Sequence, residues 1–503
     1  MGEISSPAST AISAPPSPLP DSAPRTPRSP LASRLMTPIV SPMKKAITSV
    51  HGYLEEVGQF TKLDPQDAWL PITESRNGNA YYSAFHTLSS GIGVQALVLP
   101  LAFTTLGWTW GIICLLLVFI WQLYTLWLLI QLHESESGTR YSRYLRLSMA
   151  AFGEKRGKLL ALFPIMYLSG GTCVILVMIG GGTLKTFFEI VCGASETCNV
   201  TRLTTVEWYL VFICAAVVLA QLPNLNSIAG VSLIGAITAV SYCTIIWVVS
   251  VIKDRPVGVS YEPVKEISDV ATIFSILNSL GIIAFAFRGH NLVLEVQGTM
   301  PSTAKKPSRI PMWRGVKFAY LIIAMCLFPL AIGGYSAYGN LMPGNEGMFD
   351  ALHKYHNHDT SKVLLGLTSL FVVISSLSSF QIFAMPVFDN LEFKYTSKYN
   401  KPCPWWLRSG IRVFFGSVEF FISAALPFLR NLAALIGGIA LPITLAYPCF
   451  MWIHIRKPTT YSAIWGLNWA LGILGMVLSI LAVIGATWSL ATMGIEFHFF
   501  KAQ

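Results

Sequence analysis

Two short runs carry most of the chemistry this sequence offers. Ser89-Ser90-Gly91-Ile92-Gly93 and Phe287-Arg288-Gly289-His290 place glycine beside hydroxyl, cationic and imidazole groups, in the middle of long apolar stretches. Glycine at such a place lets a helix unwind. Unwinding frees amide donors and carbonyl acceptors that hydrocarbon cannot satisfy. A zwitterion can satisfy both: its carboxylate takes the freed N–H groups and its ammonium takes the freed carbonyls. The dipole of a helix N-terminus adds to the anion's stabilisation. The expected substrate-binding residues are Ser89, Ser90, Gly91, Ile92, Gly93 and Gln95 around the first run, and Phe287, Arg288, Gly289 and His290 in the second.

Ionisable groups accompany the breaks. Arg288 can hold a carboxylate through two parallel hydrogen bonds. Its bland role is an internal ion pair with Glu295, about 10 Å away if the helix were continuous. Glu295, His290, His86 and Glu419 are the candidates for carrying a coupling proton. A buried carboxyl titrates nearer neutrality, and histidine titrates closest to physiological pH. The bland readings are a hydrogen-bonded structural acid for Glu295 and a helix-to-helix bridge for His86. Glu419 is far from both breaks in the repeat and reads first as structural. His290 ranks above His86 because it lies in a break. No metal site is expected: His353, His356 and His358 read as residues of a solvated loop.

The elements that position these groups follow from composition. The chain has 503 residues, 53% hydrophobic and only 12% charged, with a mean hydropathy of +0.56. Soluble chains carry about twice that charged fraction, so the solvent for most of this chain is lipid. The formal charge of +10 does not point to nucleic acid, because the basic residues lie between apolar runs and form no single face. A helix needs about 20 apolar residues to cross the hydrocarbon core. Eleven segments qualify: 80–105, 109–132, 159–187, 205–222, 228–252, 269–296, 316–339, 362–387, 411–426, 431–453 and 463–490. Pro427 is expected to close the ninth, and Leu441-Pro442 and Tyr447-Pro448 to kink the tenth.

The breaks fall in spans 1 and 6, the first members of two successive groups of five. Matched interrupted segments in corresponding halves are the mark of an inverted-repeat transporter. The glycines of span 3 (Gly170, Gly171 and Gly180-Gly181-Gly182) read instead as close-packing residues. Lys185 follows them without P-loop spacing.

Orientation follows from basic loop residues. With the N-terminus inside, the cytoplasmic loops hold Arg140, Arg143, Arg146, Lys305, Lys306, Arg309, Lys394, Arg408, Arg412 and Arg456 among others. The outer loops hold Arg202, Lys253, Arg255, Lys265, Lys354 and Arg430. The expected organisation is a disordered cytoplasmic N-terminal tail over 1–75, a transmembrane domain over 76–490, and a short extracellular C-terminal tail over 491–503. Asn199-Val200-Thr201 is a glycosylation sequon in an outer loop. Cys192 and Cys198 flank it, where an oxidising exterior permits a disulfide. Trp108, Trp110, Trp405 and Trp406 fall near the interfaces and read as belt residues. The Ser-Pro and Thr-Pro pairs of residues 1–50, such as Ser17-Pro18 and Thr26-Pro27, offer sites to protein kinases.

Longer motifs place the chain in a family. Tyr82-Ser83-Ala84-Phe85-His86, Leu99-Pro100, Leu106-Gly107-Trp108, Leu123-Tyr124-Thr125-Leu126-Trp127, Gly289-His290-Asn291 and Ala384-Met385-Pro386-Val387-Phe388-Asp389 resemble the plant lysine/histidine-transporter-like group of the amino acid/auxin permease family. The resemblance runs in order over roughly residues 70 to 490. It implies an all-α polytopic membrane protein with a LeuT-like 5+5 inverted repeat, broken helices 1 and 6, and an eleventh transmembrane helix. It also implies proton-coupled amino acid symport at the plasma membrane, with no cofactor and H+ as the coupling ion. In sodium-coupled relatives of that fold, hydroxyls of span 8, here Ser375, Ser376, Ser378 and Ser379, help bind sodium. Packing is their expected role here.

Two residues depart from the family pattern: Gln95 stands where a second glycine is usual, and Arg288 where alanine is usual. Both add polar bulk beside the expected pocket, so neutral or acidic amino acids are the expected cargo. The rivals are an auxin-like organic-anion carrier, which Arg288 suits, and an amino acid sensor that keeps the transporter fold. An enzyme is not expected, since no nucleophile–base pair, HExxH or phosphate-binding loop is present.

Overall fold

The computed structural model of the chain describes residue 67 and residues 69–493, apart from 136–137, 193–202, 223, 226, 265–267, 288, 304, 345–346 and 426–428. Among the described residues the chain is helical and has no strand beyond one isolated bridge, Glu134 to Arg140. Arg288, Cys198 and Asn199, the 491–503 tail from residue 494 on, and Pro427 lie outside the described residues.

Eleven crossings follow one another in the expected order. The first is split into α1 (Ala80–Gly91) and α2 (Gln95–Val98). Asn79 starts α1 by accepting from the N–H groups of Tyr81 and Tyr82, donors the helix itself cannot use. Helical geometry runs on through Leu99 into α3 (Pro100–Leu132), until Gly107 at φ 67° turns the chain into the second crossing. A short α4 (Tyr144–Phe152) precedes α5 (Glu154–Cys192), α6 (Thr205–Leu219) and α7 (Ala229–Ile252). The sixth crossing is split into α8 (Asp269–Ala286) and α9 (His290–Gly298). Then come α10 (Arg309–Tyr338), a short α11 (Met348–His356), α12 (Lys362–Tyr399), α13 (Trp405–Ala425), α14 (Leu429–Leu441), α15 (Tyr447–Arg456) and α16 (Ala463–Met493).

Eight of these crossings are long and apolar enough to span a bilayer on those grounds alone. The other three have identifiable reasons to fall short. The first is broken, α6 has 15 residues, and α13 carries Arg408, Arg412 and Glu419. The ends differ most for α5 and α12, which run to 39 and 38 residues. At 1.5 Å per residue both outreach a hydrocarbon core of about 30 Å. Their polar outer turns stand in headgroup or water, which hydropathy does not register. The tenth crossing bends as its prolines require, through a π-helical turn at Pro442–Ala446. The Tyr144 hydroxyl donates to Ile443 O inside that turn, at 2.8 Å.

Glycine lets helices touch backbone to backbone. A Cβ on Gly437 of α14 would overlap the Gly281 carbonyl of α8, and one on Gly281 would lie 2.7 Å from Ala434 O. In span 3, Gly171 packs on Ile436 and Gly181 on Tyr209, as close-packing residues should. Trp110, Trp405 and Trp406 are exposed, as belt residues are. Trp108 is half-buried, its ring edge-on to Tyr335 at 4.7 Å and beside Tyr261. His356 departs from expectation. It is buried against Tyr338 and does not stand in a solvated loop.

The described part of the supposed tail is packed as well. Leu70, Pro71, Ile72 and Thr73 are buried, and two ionic clusters hold the segment at one end of the bundle, here named the latch. Arg143 is its centre. The guanidinium takes Asp389 of α12 with both a 2.5 Å and a 3.2 Å bond, Asp67 at 2.7 Å and the Thr73 hydroxyl at 3.1 Å. Arg146 adds a second cation 3.1 Å from Asp67. On the other flank Arg408 of α13 donates to Trp69 O at 2.9 Å and stands 2.8 Å from Glu392 and 3.5 Å from Glu74. Composition alone reads residues 67–75 as tail, because their partners lie tens to hundreds of residues away.

Burial would raise the carboxyl of Asp67, but Arg143, Arg146 and Arg76 outweigh it and hold the group below the ordinary range. A depressed carboxylate stabilises the fold above its unfolded pKa and loses that contribution only as pH falls through the lowered value. Asp67 therefore stays ionised throughout the physiological range.

Removing one partner of a buried ion cluster costs about 3–5 kcal/mol, whereas a part-exposed pair costs about 0–1 kcal/mol. Asp389→Asn should lower the thermal unfolding temperature in detergent by several degrees, and Glu74→Gln should barely move it. Equal effects would contradict this ranking. Separately, Gly437→Leu should force α8 and α14 apart and cost about 1–3 kcal/mol or more, read as loss of monodisperse protein in size-exclusion chromatography.

A candidate substrate site at two helix breaks

Both expected breaks are present. α1 ends at Gly91, Ile92 is extended at φ −108° and ψ 106°, and α2 starts at Gln95. α8 ends at Ala286, Phe287 leaves helical geometry at φ −109° and ψ 46°, and Gly289 sits at φ 120° before α9 begins at His290. That φ favours glycine, since a Cβ would clash with its own backbone. The two breaks face each other: a Cβ on Gly289 would lie 3.5 Å from Ser90 Oγ.

Between them is a cavity of about 20 Å³, room for a water or two. Ser90 and Gly91 line it from the first crossing, Gly289 and Leu292 from the sixth, and Leu126 and Tyr320 close it. An amino acid fits only when these walls separate.

Four carbonyls at the end of α1 each have a donor. Leu88 O accepts from Ile92 N at 2.7 Å. Ser89 O accepts from Ser379 Oγ of α12 at 2.7 Å. Gly91 O and Ser90 O accept from Gln95 Nε2 at 2.8 and 3.4 Å. These four carbonyls are therefore not open for an ammonium in this state. Side chains hold three of them. Ser378 Oγ stands 3.1 Å from Ser89 Oγ and donates to Val231 O at 3.0 Å, so the span 8 hydroxyls do more than fill space. Ser375 and Ser376 hydroxyls are buried and have no hydrogen-bond partner among the described residues.

The other candidates divide. His290 Nε2 lies 3.2 Å from Gln122 O and 3.0 Å from Thr125 Oγ1 of α3. A carbonyl only accepts, so Nε2 carries the proton in this arrangement. Nδ1 is buried and without a partner among the described residues. His86 bridges α1 to α7 through Ser232 Oγ at 2.9 Å, the helix-to-helix role. Glu295 is 3% exposed and feels the charges of Asp389 and Arg143, so it belongs with the latch more than with the break. Glu419 lies against Gly170 of α5, its Oε1 3.2 Å from where a Cβ there would stand. Cys192 is in a disulfide, whose other half lies outside the described residues, and the seven other described cysteines are free thiols. No cluster of three metal-ligating side chains occurs among the described residues. Gln122 and Tyr320 had no local signal, and Thr125 and Leu126 stood in a family motif with no role attached. They look like any span residue until the breaks are folded against them.

Known proteins carry the same pattern. Residues 76–493 match the family model described as transmembrane amino acid transporter protein. The chain is 59% identical to lysine histidine transporter-like 8 of Arabidopsis thaliana, covering 96% of this chain and 92% of that one. It is 46% identical to lysine histidine transporter-like 7 of the same plant, over 87% and 90%. Identity to the Arabidopsis GABA transporter 1 is 25%, over 81% and 90%. Among solved structures the chain resembles a nucleobase–cation symport family transporter in a closed conformation. That match has a TM-score of 0.53 at 12% identity, over 87% of this chain and 97% of that one. A sodium-coupled sialic acid symporter matches with a TM-score of 0.51 at 12% identity, over 91% and 99%. These two likenesses concern the fold alone: an all-α polytopic bundle with a LeuT-like repeat, broken first and sixth crossings and an eleventh helix. With its motifs, its breaks and its relatives in agreement, the chain belongs to the transmembrane amino acid transporter family, in the lysine/histidine-transporter-like group.

Proposed function

We propose that this protein is a proton-coupled amino acid symporter of the plasma membrane, working by alternating access. The observation that carries the reading is the pair of breaks facing each other across a closed cavity. The named relatives supply the class of cargo: they are called transporters of lysine and histidine, of GABA, and of amino acids generally.

The latch end carries Arg140, Arg143, Arg146, Arg408 and Arg412, so the positive-inside rule assigns it to the cytoplasm. The C-terminus is then outside, after eleven crossings. At the opposite end α11 closes on α2: a Cβ on Gly347 would overlap Leu97 O, and one on Gly334 would lie 2.5 Å from Met348 Sδ. Both gates are shut here. Release inward needs the latch to part. The hydroxyls of Ser378 and Ser379 support proton over sodium coupling, because Ser379 already donates to the Ser89 carbonyl that a bound cation would need. The Ser-Pro and Thr-Pro pairs upstream fit control of the transporter by proline-directed kinases.

Arg288 supports a preference for neutral or acidic cargo. Two like charges about 6 Å apart at an effective dielectric near 20 repel by roughly 3 kcal/mol, about a hundredfold in affinity.

The test is uptake of labelled amino acids at two external pH values, with sodium or choline. Uptake should rise at the acidic pH, and replacing sodium by choline should leave it unchanged. Alanine should be carried far better than lysine, and Arg288→Ala should narrow that gap. Sodium-dependent uptake would defeat the coupling reading. Lysine carried as well as alanine by the wild type would defeat the charge argument. Binding without measurable flux would identify a sensor.

A further inference from the structure

α10 touches the first break and, through one ring, reaches the second. Ile323 Cδ1 lies 2.5 Å from where a Cβ on Gly91 would stand. One turn earlier, the Tyr320 ring packs 5.8 Å from Phe119 of α3. Phe119 in turn packs 5.9 Å from Phe287 at the second break and 5.6 Å from Phe328. The ring of Tyr320 is wedged by these contacts, and its free end is the hydroxyl. Tyr320 is 6% exposed and lines the cavity between the breaks. Its hydroxyl makes no hydrogen bond to a described residue, and it is not among the polar atoms the protein seals off. It opens on the cavity.

The walls around it are apolar. Leu126 of α3 and Leu292, Val293 and Val296 of α9 line the same space. On the walls that α3, α9 and α10 contribute, Tyr320 brings the only polar side chain among the described residues. The backbone groups freed at the breaks suit the two charged ends of an amino acid, which leaves its side chain to face these walls. A phenol is neutral there and both donates and accepts. A hydroxyl or carboxamide on the cargo pairs with it. An apolar side chain of the same shape displaces the water the cavity holds and leaves the phenol unpaired, and a site built to hydrogen-bond a group rejects the analogue lacking it.

We propose that Tyr320 determines the side-chain class of the cargo: its hydroxyl is the partner for an uncharged polar side chain, so that amino acids bearing a hydroxyl or carboxamide are preferred over apolar isosteres. The inference rests on the amino acid transport reading above and names the residue that chooses among neutral substrates.

The experiment uses the full-length protein in proteoliposomes, with labelled L-alanine uptake inhibited by two isosteric pairs: serine against 2-aminobutyrate, and threonine against valine. The polar member of each pair should inhibit about fivefold more strongly, the worth of one neutral hydrogen bond. Tyr320→Phe removes the hydroxyl and keeps the ring against Phe119, so both ratios should fall to about one. The loss should fall on serine and threonine, because 2-aminobutyrate and valine never used the hydroxyl. A residue that only holds the helices together would weaken all four alike. The same wild-type ratios, read as protection of the purified protein against heat, test the side-chain class without any variant or flux. Wild-type ratios near one overturn the inference, as do ratios that survive Tyr320→Phe or a loss shared by all four inhibitors. Wild-type protein that moves no amino acid at all overturns the transport reading instead, so the two failures are told apart.

Discussion

A peptide carbonyl inside a bilayer must find a donor, and two crossings of this protein, the first and the tenth, are built so that their own helices do not supply one at three carbonyls. Each is served by a side chain. Ser379 of α12 reaches Ser89 O, Gln95 reaches Gly91 O, and Tyr144 of α4 reaches Ile443 O in the π-helical turn. Those donors tie α12, α2 and α4 to the broken places, and so tie both halves of the repeat together. The same need makes the site reversible. A substrate group can replace a side-chain donor only if that donor can let go, and hydroxyls and amides on rotatable bonds can.

What the sequence reveals is local in nature. Apolar length, the glycines of each break and the basic bias of loops all lie within a single window of residues. The eleven crossings and both interruptions were legible for that reason. The latch was not. Asp67, Arg143, Asp389, Glu392 and Arg408 are spread over more than 300 positions, and each alone looks like an ordinary loop or helix-end charge. His290 and Glu295 are near neighbours in sequence, but one turns to α3 and the other lies under the field of the latch. Helical periodicity alone does not say which neighbour each face of a short half-helix will meet.

The likeness to solved transporters at 12% identity is informative for the same reason. Few side chains can be shared at that level. What survives is the fold, a bundle of apolar helices, which depends on backbone geometry and small residues more than on any particular chemistry. The polar groups that answer the interruptions are free to differ, and Gln95 is one such answer.

The residues just ahead of the first crossing act on it mechanically. Gly78 N donates to Thr299 O at 2.9 Å, joining the start of α1 to the end of α9, so half-helices of the two broken crossings share a single foot. Asp67 to Asn77 is a leash of eleven residues, and at about 3.5 Å per residue it cannot stretch beyond roughly 40 Å. Once the latch has parted, whatever grips the chain upstream of Asp67 pulls on that foot when the leash is taut. Tension alone would then strain the joint, without any contact with the cargo.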